Sequence, residues 1–272
     1  MQSIEFVVSP DEAEFACGLL WSLGVSGVEE RAEPDGAVRL IAGFEDDLAE
    51  EAQAELEQRW PTERGAMNYE QYLDSWRPFA RAVRVGERLV IQPPWIDPIA
   101  QPGDLVISVD PGRAWGHGAH PTTVLCVEAL LRLGDLEGRA VLDVGCGSGV
   151  LAIAAALLGA EVVQGIDIDL AAVEATLANA LVSGADGVVE ASTTPVAVID
   201  ATFDIVVANI GLATLVELAP AITGRVKPGG VAMLSGLLVE QVDAAVAAYG
   251  EFDEVERRAA DGWSVVVLRK RG

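Results

Sequence analysis

The two histidines of the chain, His117 and His120, both lie in the stretch DPGRAWGHGAHPTT, from Asp110 to Thr123. Imidazoles this close together could hold a metal ion, move protons, or sit in a loop that covers a ligand. A metal would need further ligands, and neither the stretch nor its neighbours supply a cysteine or an obvious carboxylate cluster, so no metal is expected. A catalytic pair is a secondary reading, because no serine or cysteine nucleophile motif accompanies it.

A second group of residues speaks more directly of a ligand. In VLDVGCGSGV, Gly145, Gly147 and Gly149 stand at a strand-to-helix turn, where small residues let backbone approach a bound molecule. A dinucleotide turn reads G-x-G-x-x-G; here the third glycine comes one position early and Val150 occupies its place. Asp143, just before the first glycine, would repel a pyrophosphate but favour an ammonium or a sulfonium. The helix N-terminus beyond it can still receive a carboxylate. A ligand with a cation and a carboxylate at one end fits this loop better than NAD. Asp167, in GIDID, lies about twenty residues further on, the spacing at which an acidic side chain accepts hydrogen bonds from ribose hydroxyls. Capping the next helix is the other task open to an aspartate here, and Asp169 suits it better.

These residues need a frame to position them. SIEFVVS alternates as a strand does, and PDEAEFACGLLWSLG has helical spacing. VSGVEERAE and GAVRLIAGF read as two strands about the turn Pro34-Asp35-Gly36, and DDLAEEAQAELEQRW as an acidic helix that stops before Pro61. An extended piece around Met67 would complete a β-α-β-β-α-β unit, a ferredoxin-like layer over residues 1–68. Residues 69–80, YEQYLDSWRPFA from Tyr69, read as a short helical connector halted by Pro78. Residues 81–272 form the second domain. RAVRVGERLVIQPPW and DLVISVDPG make an extended entry to it, and from Thr122 strands and helices alternate. That alternation implies a mostly parallel sheet covered on both faces, an α/β fold. The expected elements include a helix from Thr214 to Val226 and, in the tail, an antiparallel edge pair about Asp261-Gly262.

Composition narrows the partners. A formal net charge of −24 over 272 residues repels phosphate backbones, so no direct nucleic-acid binding is expected, and it steers a basic partner in. Three cysteines without metal-like spacing make no complete disulfide framework. MQSIEF has neither the basic nor the apolar region of a signal peptide, and the apolar run VLAIAAALLGAEVV is too short to span a bilayer. A cytoplasmic protein without membrane contact is expected.

VLDVGCGSG followed by GIDID resembles motif I and the acidic loop of class I S-adenosylmethionine-dependent methyltransferases. Further stretches narrow the resemblance to the ribosomal protein L11 methyltransferase family. DPGRAWGHGAHPTT is similar to its P-G-x-A-F-G-T-G-x-H-x-T-T loop, VVANI (Val206 to Ile210) to its segment after the fourth strand, and YLDSWRPFA with LVIQPPW to its connector. Over the first sixty or so residues the similarity is only architectural. The resemblance implies a Rossmann-like methyltransferase domain with a seven-stranded sheet, S-adenosylmethionine as cofactor, and a smaller domain that recruits a basic protein, ribosomal protein L11. It makes the histidine stretch a lid over the cofactor. Trp115 takes the place of the loop's phenylalanine, and His120 and Thr123 match its histidine and threonine. His117 stands where the family usually has threonine, and an imidazole is the bulkier of the two and titrates near neutral pH. With Asp143, Gly145, Gly147, Asp167 and Ile168, these are the cofactor-binding residues that the resemblance implies.

Asn209 is the candidate catalytic residue. Enzymes that methylate planar nitrogens carry N-P-P-[Y/F] at this point, whereas here the segment is Asn209-Ile210-Gly211. An asparagine without the prolines and the stacking ring suits an aliphatic amine, a lysine or an N-terminal amine. Asn209 could accept a hydrogen bond from the incoming amine or hold the methionine end of the cofactor. A monomer is expected. A same-fold methyltransferase for another protein or a small molecule, or a non-catalytic cofactor-binding protein, are the alternatives.

Overall fold

The computed structural model describes residues 2–25, 27–44, 46–66, 81–110 and 118–272. The chain divides into two compact units, Met1–Phe79 and Ala80–Gly272.

The first unit runs β1 (Gln2–Val8), α1 (Pro10–Ser22), β2 (Gly27–Ala32), β3 (Val38–Phe44), α2 (Ala49–Leu56) and β4 (Glu63–Ala66). Its strands pair antiparallel in the order β2-β3-β1-β4. Side chains alternate across a strand, so the register that sets Ile4 opposite Ala42 and Phe6 opposite Leu40 puts all four on one face. There they meet Ala16 and Leu20 of α1 and Ala49, Ala52 and Leu56 of α2, with Trp60 stacked on Phe6 at 5.2 Å. This is the ferredoxin-like layer. Its closing strand is Glu63–Ala66, while Met67 and the expected connector helix over 69–80 lie outside the described residues.

The second unit begins with a small sheet of its own: β5 (Val83–Val85) antiparallel to β6 (Leu89–Gln92), and β6 parallel to β7 (Leu105–Ser108). Then follow α3 (Pro121–Leu133), β8 (Ala140–Val144), α4 (Val150–Leu157), β9 (Val162–Ile166), α5 (Leu170–Val182), β10 (Val189–Ser192), β11 (Phe203–Asn209), α6 (Leu212–Arg225), β12 (Val226–Leu238), α7 (Val242–Ala247), β13 (Phe252–Ala260) and β14 (Trp263–Lys270). The last seven strands form one sheet in the order β10-β9-β8-β11-β12-β14-β13. Pairing from β10 through β12 is parallel, and β14 runs antiparallel to both its neighbours. Alternate residues of the central strands feed two cores. Val141, Ile205 and Val207 pack with α3 and α4 on one face. Leu142, Val206 and Ala208 pack with α6 and α7 on the other. Because β9 and β10 lie to one side of β8 and β11 and β12 to the other, the chain reverses direction across the sheet beside β8. A crevice at the carboxyl ends of the strands opens at such a point.

Three details differ from the sequence-based expectation. The helix expected over 214–226 begins at Leu212 and ends at Arg225, because Gly211 in extended conformation starts it and Val226 already belongs to a strand. The tail strands pair antiparallel about Asp261-Gly262 at the end of the sheet, as expected, but their order is reversed from that of the sequence. Ser264–Leu268 of β14 are buried between β12 and β13, and only β13, exposed along most of its length, forms the edge. Finally, β10 and the short α7 were not anticipated: four residues, VEAS, and a six-residue helix carry too little periodicity to read.

Candidate active site

The glycine loop leaves the end of β8 at the crevice. Gly145, Gly147 and Gly149 have φ of +76°, +53° and +85°, a region costly for residues with a Cβ. Space is as restrictive as conformation. A Cβ on Gly145 would lie 2.5 Å from Cγ2 of Ile210, and one on Gly149 would lie 2.9 Å from Cγ2 of Thr176. The turn is fixed to the neighbouring strand, since the amides of Gly145 and Cys146 both donate to the Ile166 carbonyl, at 2.8 and 3.0 Å.

Asp143 sits beneath this loop with only 1% of its surface exposed. Its Oδ2 accepts from the Ala152 amide at 3.0 Å, satisfying one of the donors left open in the first turn of α4. Burial pushes its pKa up to about 7; the Ala152 N–H works against that rise and the nearby Asp167 adds to it. Asp143 therefore anchors the loop from below, and its charge depends on what lies above.

Asp167 follows β9 and is half-buried. One carboxylate oxygen accepts from the Gly147 amide and the other from the Asp169 amide, both at 3.0 Å. Asp169 caps α5, accepting from the Ala171 amide at 2.8 Å, so the helix cap falls to Asp169 and not to Asp167. Between them Ile168 is 100% exposed. Asn209 ends β11 opposite Ser235, half-buried, and the next amide, of Ile210, donates to the Ser235 carbonyl at 3.1 Å. Asp143, Gly145, Gly147, Asp167, Ile168 and Asn209 thus gather at the carboxyl ends of β8, β9 and β11.

Of the histidine stretch, Asp110 and the residues from Gly118 onward are described; Trp115 and His117 lie outside the described residues. His120 caps α3. Its Nδ1 accepts from the Thr122 amide at 3.3 Å and lies 2.7 Å from the Thr122 hydroxyl. Its ring meets Trp263 edge-on, with centroids 4.9 Å apart. Thr123 is buried in the first turn of the same helix. Since Trp263 pairs with Leu238 at the carboxyl end of β12, this corner belongs to the same end of the sheet as Asn209. Among the described residues, no group of three or more His, Cys, Asp and Glu could hold a metal.

Three residues of this region escaped the sequence reading: Thr176 and Asn179 on the inner face of α5, and Trp263. The available signal was polarity. Thr176 and Asn179 fall at positions of a helix where the facing side should be apolar.

A glycine turn at the end of a central strand, a carboxyl under it, a carboxylate at the end of the next strand and an exposed apolar residue beside that one form a single site. It fits a ligand carrying a cation, a ribose and a flat base. With this sheet order they define a class I S-adenosylmethionine-dependent methyltransferase domain. The family model described as "Ribosomal protein L11 methyltransferase (PrmA)" matches residues 3–271. A curated relative from Citrifermentans bemidjiense, named ribosomal protein L11 methyltransferase, is 45% identical over 206 residues, covering 74% of this chain and 67% of its own. One of the same name from Heliobacterium modesticaldum is 38% identical over 232 residues, covering 83% of this chain and 73% of its own. The crystal structure of a ribosomal protein L11 methylase from Lactobacillus delbrueckii subsp. bulgaricus superposes with a TM-score of 0.63 at 29% identity, over 71% of this chain and 100% of its own. The chain belongs to the ribosomal protein L11 methyltransferase family.

Proposed function

We propose that this protein methylates amino groups of ribosomal protein L11, lysine side chains or the N-terminal amine, using S-adenosylmethionine. The observation that carries the reading is the paired placement of Asp143 and Asp167 about the glycine loop. Asp167 supplies acceptors where ribose hydroxyls would lie, and Asp143, a buried carboxyl beneath the turn, gains its negative charge as a cation binds above it. When bound, the cofactor supplies a methyl group activated on a positively charged sulfur.

The chain's own residues do the rest. The amides of the glycine turn are bonded within the protein, so the N-terminus of α4 is what receives a carboxylate. Asp167 accepts from ribose hydroxyls while keeping its bonds to Gly147 and Asp169, because each carboxylate oxygen has a second lone pair. Ile168 covers the base. Trp115, His117, His120 and Thr123 complete the cofactor site. Asn209 accepts a hydrogen bond from the attacking amine and orients its lone pair, so its contribution is positioning. An alkylammonium must lose a proton before it attacks. A partly desolvated site favours the neutral amine, and the proton leaves to water.

The ferredoxin-like unit recruits the protein substrate, with residues 69–80 as connector and 81–272 as the catalytic domain. The net charge of −24 favours a free basic protein over an RNA-rich particle and disfavours nucleic-acid contact. No helix of the described residues is long and apolar enough to cross a membrane. A monomer working in the cytoplasm without membrane contact is the arrangement proposed.

Calorimetry tests the reading, with S-adenosylmethionine, S-adenosylhomocysteine and NAD titrated into the wild type and Asp167→Ala. Binding of the first two, weakened in the variant and absent for NAD, is expected. Methylation of purified L11 should then fall far more than cofactor affinity in Asn209→Ala. Equal losses would move Asn209 to the cofactor side, and no binding of either methyl-cycle ligand would end the proposal.

A further inference from the structure

The inner face of α5 carries Thr176 and Asn179, and its C-cap Ser183 continues them as one polar stripe at helical spacing on a helix packed against the core. None of the three is needed for a helix, and asparagine in a helix interior is mildly unfavourable. Each spends its hydrogen bonds on the backbone of another segment. Thr176, fully buried, donates to the Gly147 carbonyl at 3.0 Å. The Ser183 hydroxyl accepts from the Ser108 amide at 3.0 Å. Asn179, 4% exposed, does both kinds of work. Its Oδ1 accepts from the Asp110 amide at 3.0 Å, and its Nδ2 donates to the carbonyls of Asp110, at 3.0 Å, and Ser148, at 2.9 Å.

The spacing explains why a helix can do this. Residues 179 and 183 are one turn apart, a rise of about 6 Å, and residues 108 and 110 are two extended residues apart, between about 6 and 7 Å. Side chains of α5 therefore take the place of a ladder partner beyond the end of β7. Of the three, Asn179 alone is bonded both to this extended segment and to the glycine loop.

We propose that Asn179 is a positioning residue for cofactor binding, locking the backbone of Asp110 against that of Ser148 so that the glycine loop is already in its binding arrangement in the free protein. The inference rests on the S-adenosylmethionine reading given above. Without the amide, the three bonds that tie Asp110 to α5 and to Ser148 are lost in a partly buried place, and alternative arrangements of the two segments become competitive. Apparent affinity falls in proportion to the fraction of molecules that remain competent. Asn179 does not touch the reacting atoms, so turnover at saturating cofactor is retained.

The test compares Asn179→Ala and Asn179→Asp with Ser183→Ala. The aspartate keeps the size and the acceptor but loses both donors; Ser183→Ala removes the anchor that touches only Ser108. Calorimetry with S-adenosylmethionine should show Kd raised about tenfold or more in both Asn179 variants and within about twofold of wild type in Ser183→Ala, with kcat at saturating cofactor little changed. Asn179 variants that bind as the wild type does, or a Ser183→Ala variant that loses as much affinity, would overturn the proposal. Amide exchange in the wild type guards against variants that do not fold: without ligand, the Asp110 amide should be strongly protected, and exchange at an unprotected rate would overturn the proposal as well. A wild type that binds no S-adenosylmethionine would instead remove the cofactor reading itself.

Discussion

Asp143→Asn separates what the buried carboxyl does as an acceptor from what it does as a charge. The amide side chain can still accept from the Ala152 N–H but cannot ionise. In the folded wild type, burial holds the Asp143 pKa up at about 7, against the pull of the Ala152 hydrogen bond. In the unfolded chain an aspartate titrates at about 3.9. Between those values the folded protein keeps a proton that the unfolded chain releases, so wild-type stability falls as pH rises through the window. The full effect, a rise of about 3 units, is on the order of 4 kcal/mol, absent below about pH 4 and complete above about pH 7. The variant escapes this loss but buries an NH2 group, which adds an offset that does not vary with pH. The quantity to read is therefore the difference between variant and wild type in urea unfolding, measured at about pH 5 and about pH 8. It should shift by about 2–3 kcal/mol in favour of the variant across that interval. A difference that is flat with pH, or that moves towards the wild type, would refute the assignment of a protonated, buried carboxyl. A cation bound beside Asp143 favours its ionised form, so wild type should release a proton on binding S-adenosylmethionine near about pH 6 and the variant should not. Calorimetry in buffers of different ionisation enthalpy reads this directly.

Gly145→Ala should cost about 1–2 kcal/mol for the left-handed backbone alone, plus the displacement of Ile210, and because Ile210 follows Asn209 turnover should fall too; thermal unfolding and methylation assays check both. Ile168→Ser should leave stability within about 0.5 kcal/mol, since the side chain is wholly exposed, yet weaken S-adenosylmethionine and S-adenosylhomocysteine alike. Unchanged Kd values would show that Ile168 covers no part of the ligand. His120→Ala should lose about 1 kcal/mol of stability with the cap of α3, and His120→Asn, which can cap in its place, should recover most of it in chemical denaturation.

Much of the architecture was legible because it is written in local pattern. Period-two alternation in SIEFVVS and GAVRLIAGF, turn signals between them and helical spacing in the following segments are properties of a few adjacent residues. The β-α-β-β-α-β layer and the mostly parallel sheet follow from their order. The glycine turn and the aspartates were legible for a similar reason. A strand, a tight turn and a helix N-terminus in immediate succession leave little freedom in where Gly145, Gly147 and Asp167 can stand, and a cap such as Asp169 declares itself by position. Elements too short to show a period, β10 and α7, were not legible.

Tertiary structure alone decided the rest, and in each case the deciding contact spans many residues of sequence. That β14 lies between β12 and β13 depends on pairing Ser235 with Val265, which no local signal encodes. That His120 meets Trp263 requires the β13–β14 turn to reach the N-terminus of α3. Asp143 looked like a charge offered to a ligand; only packing reveals it as a covered carboxyl whose ionisation burial opposes. Asn179 carries no local signal of its role, and its three bonds to Asp110 and Ser148 exist only once α5 is laid against both segments. Local sequence settles which residues can bind a cation, a ribose or a carboxylate. Packing settles which of them remain open to a ligand and which are spent on holding the others still, because burial and hydrogen-bond satisfaction are properties of neighbours that the chain brings together only when folded.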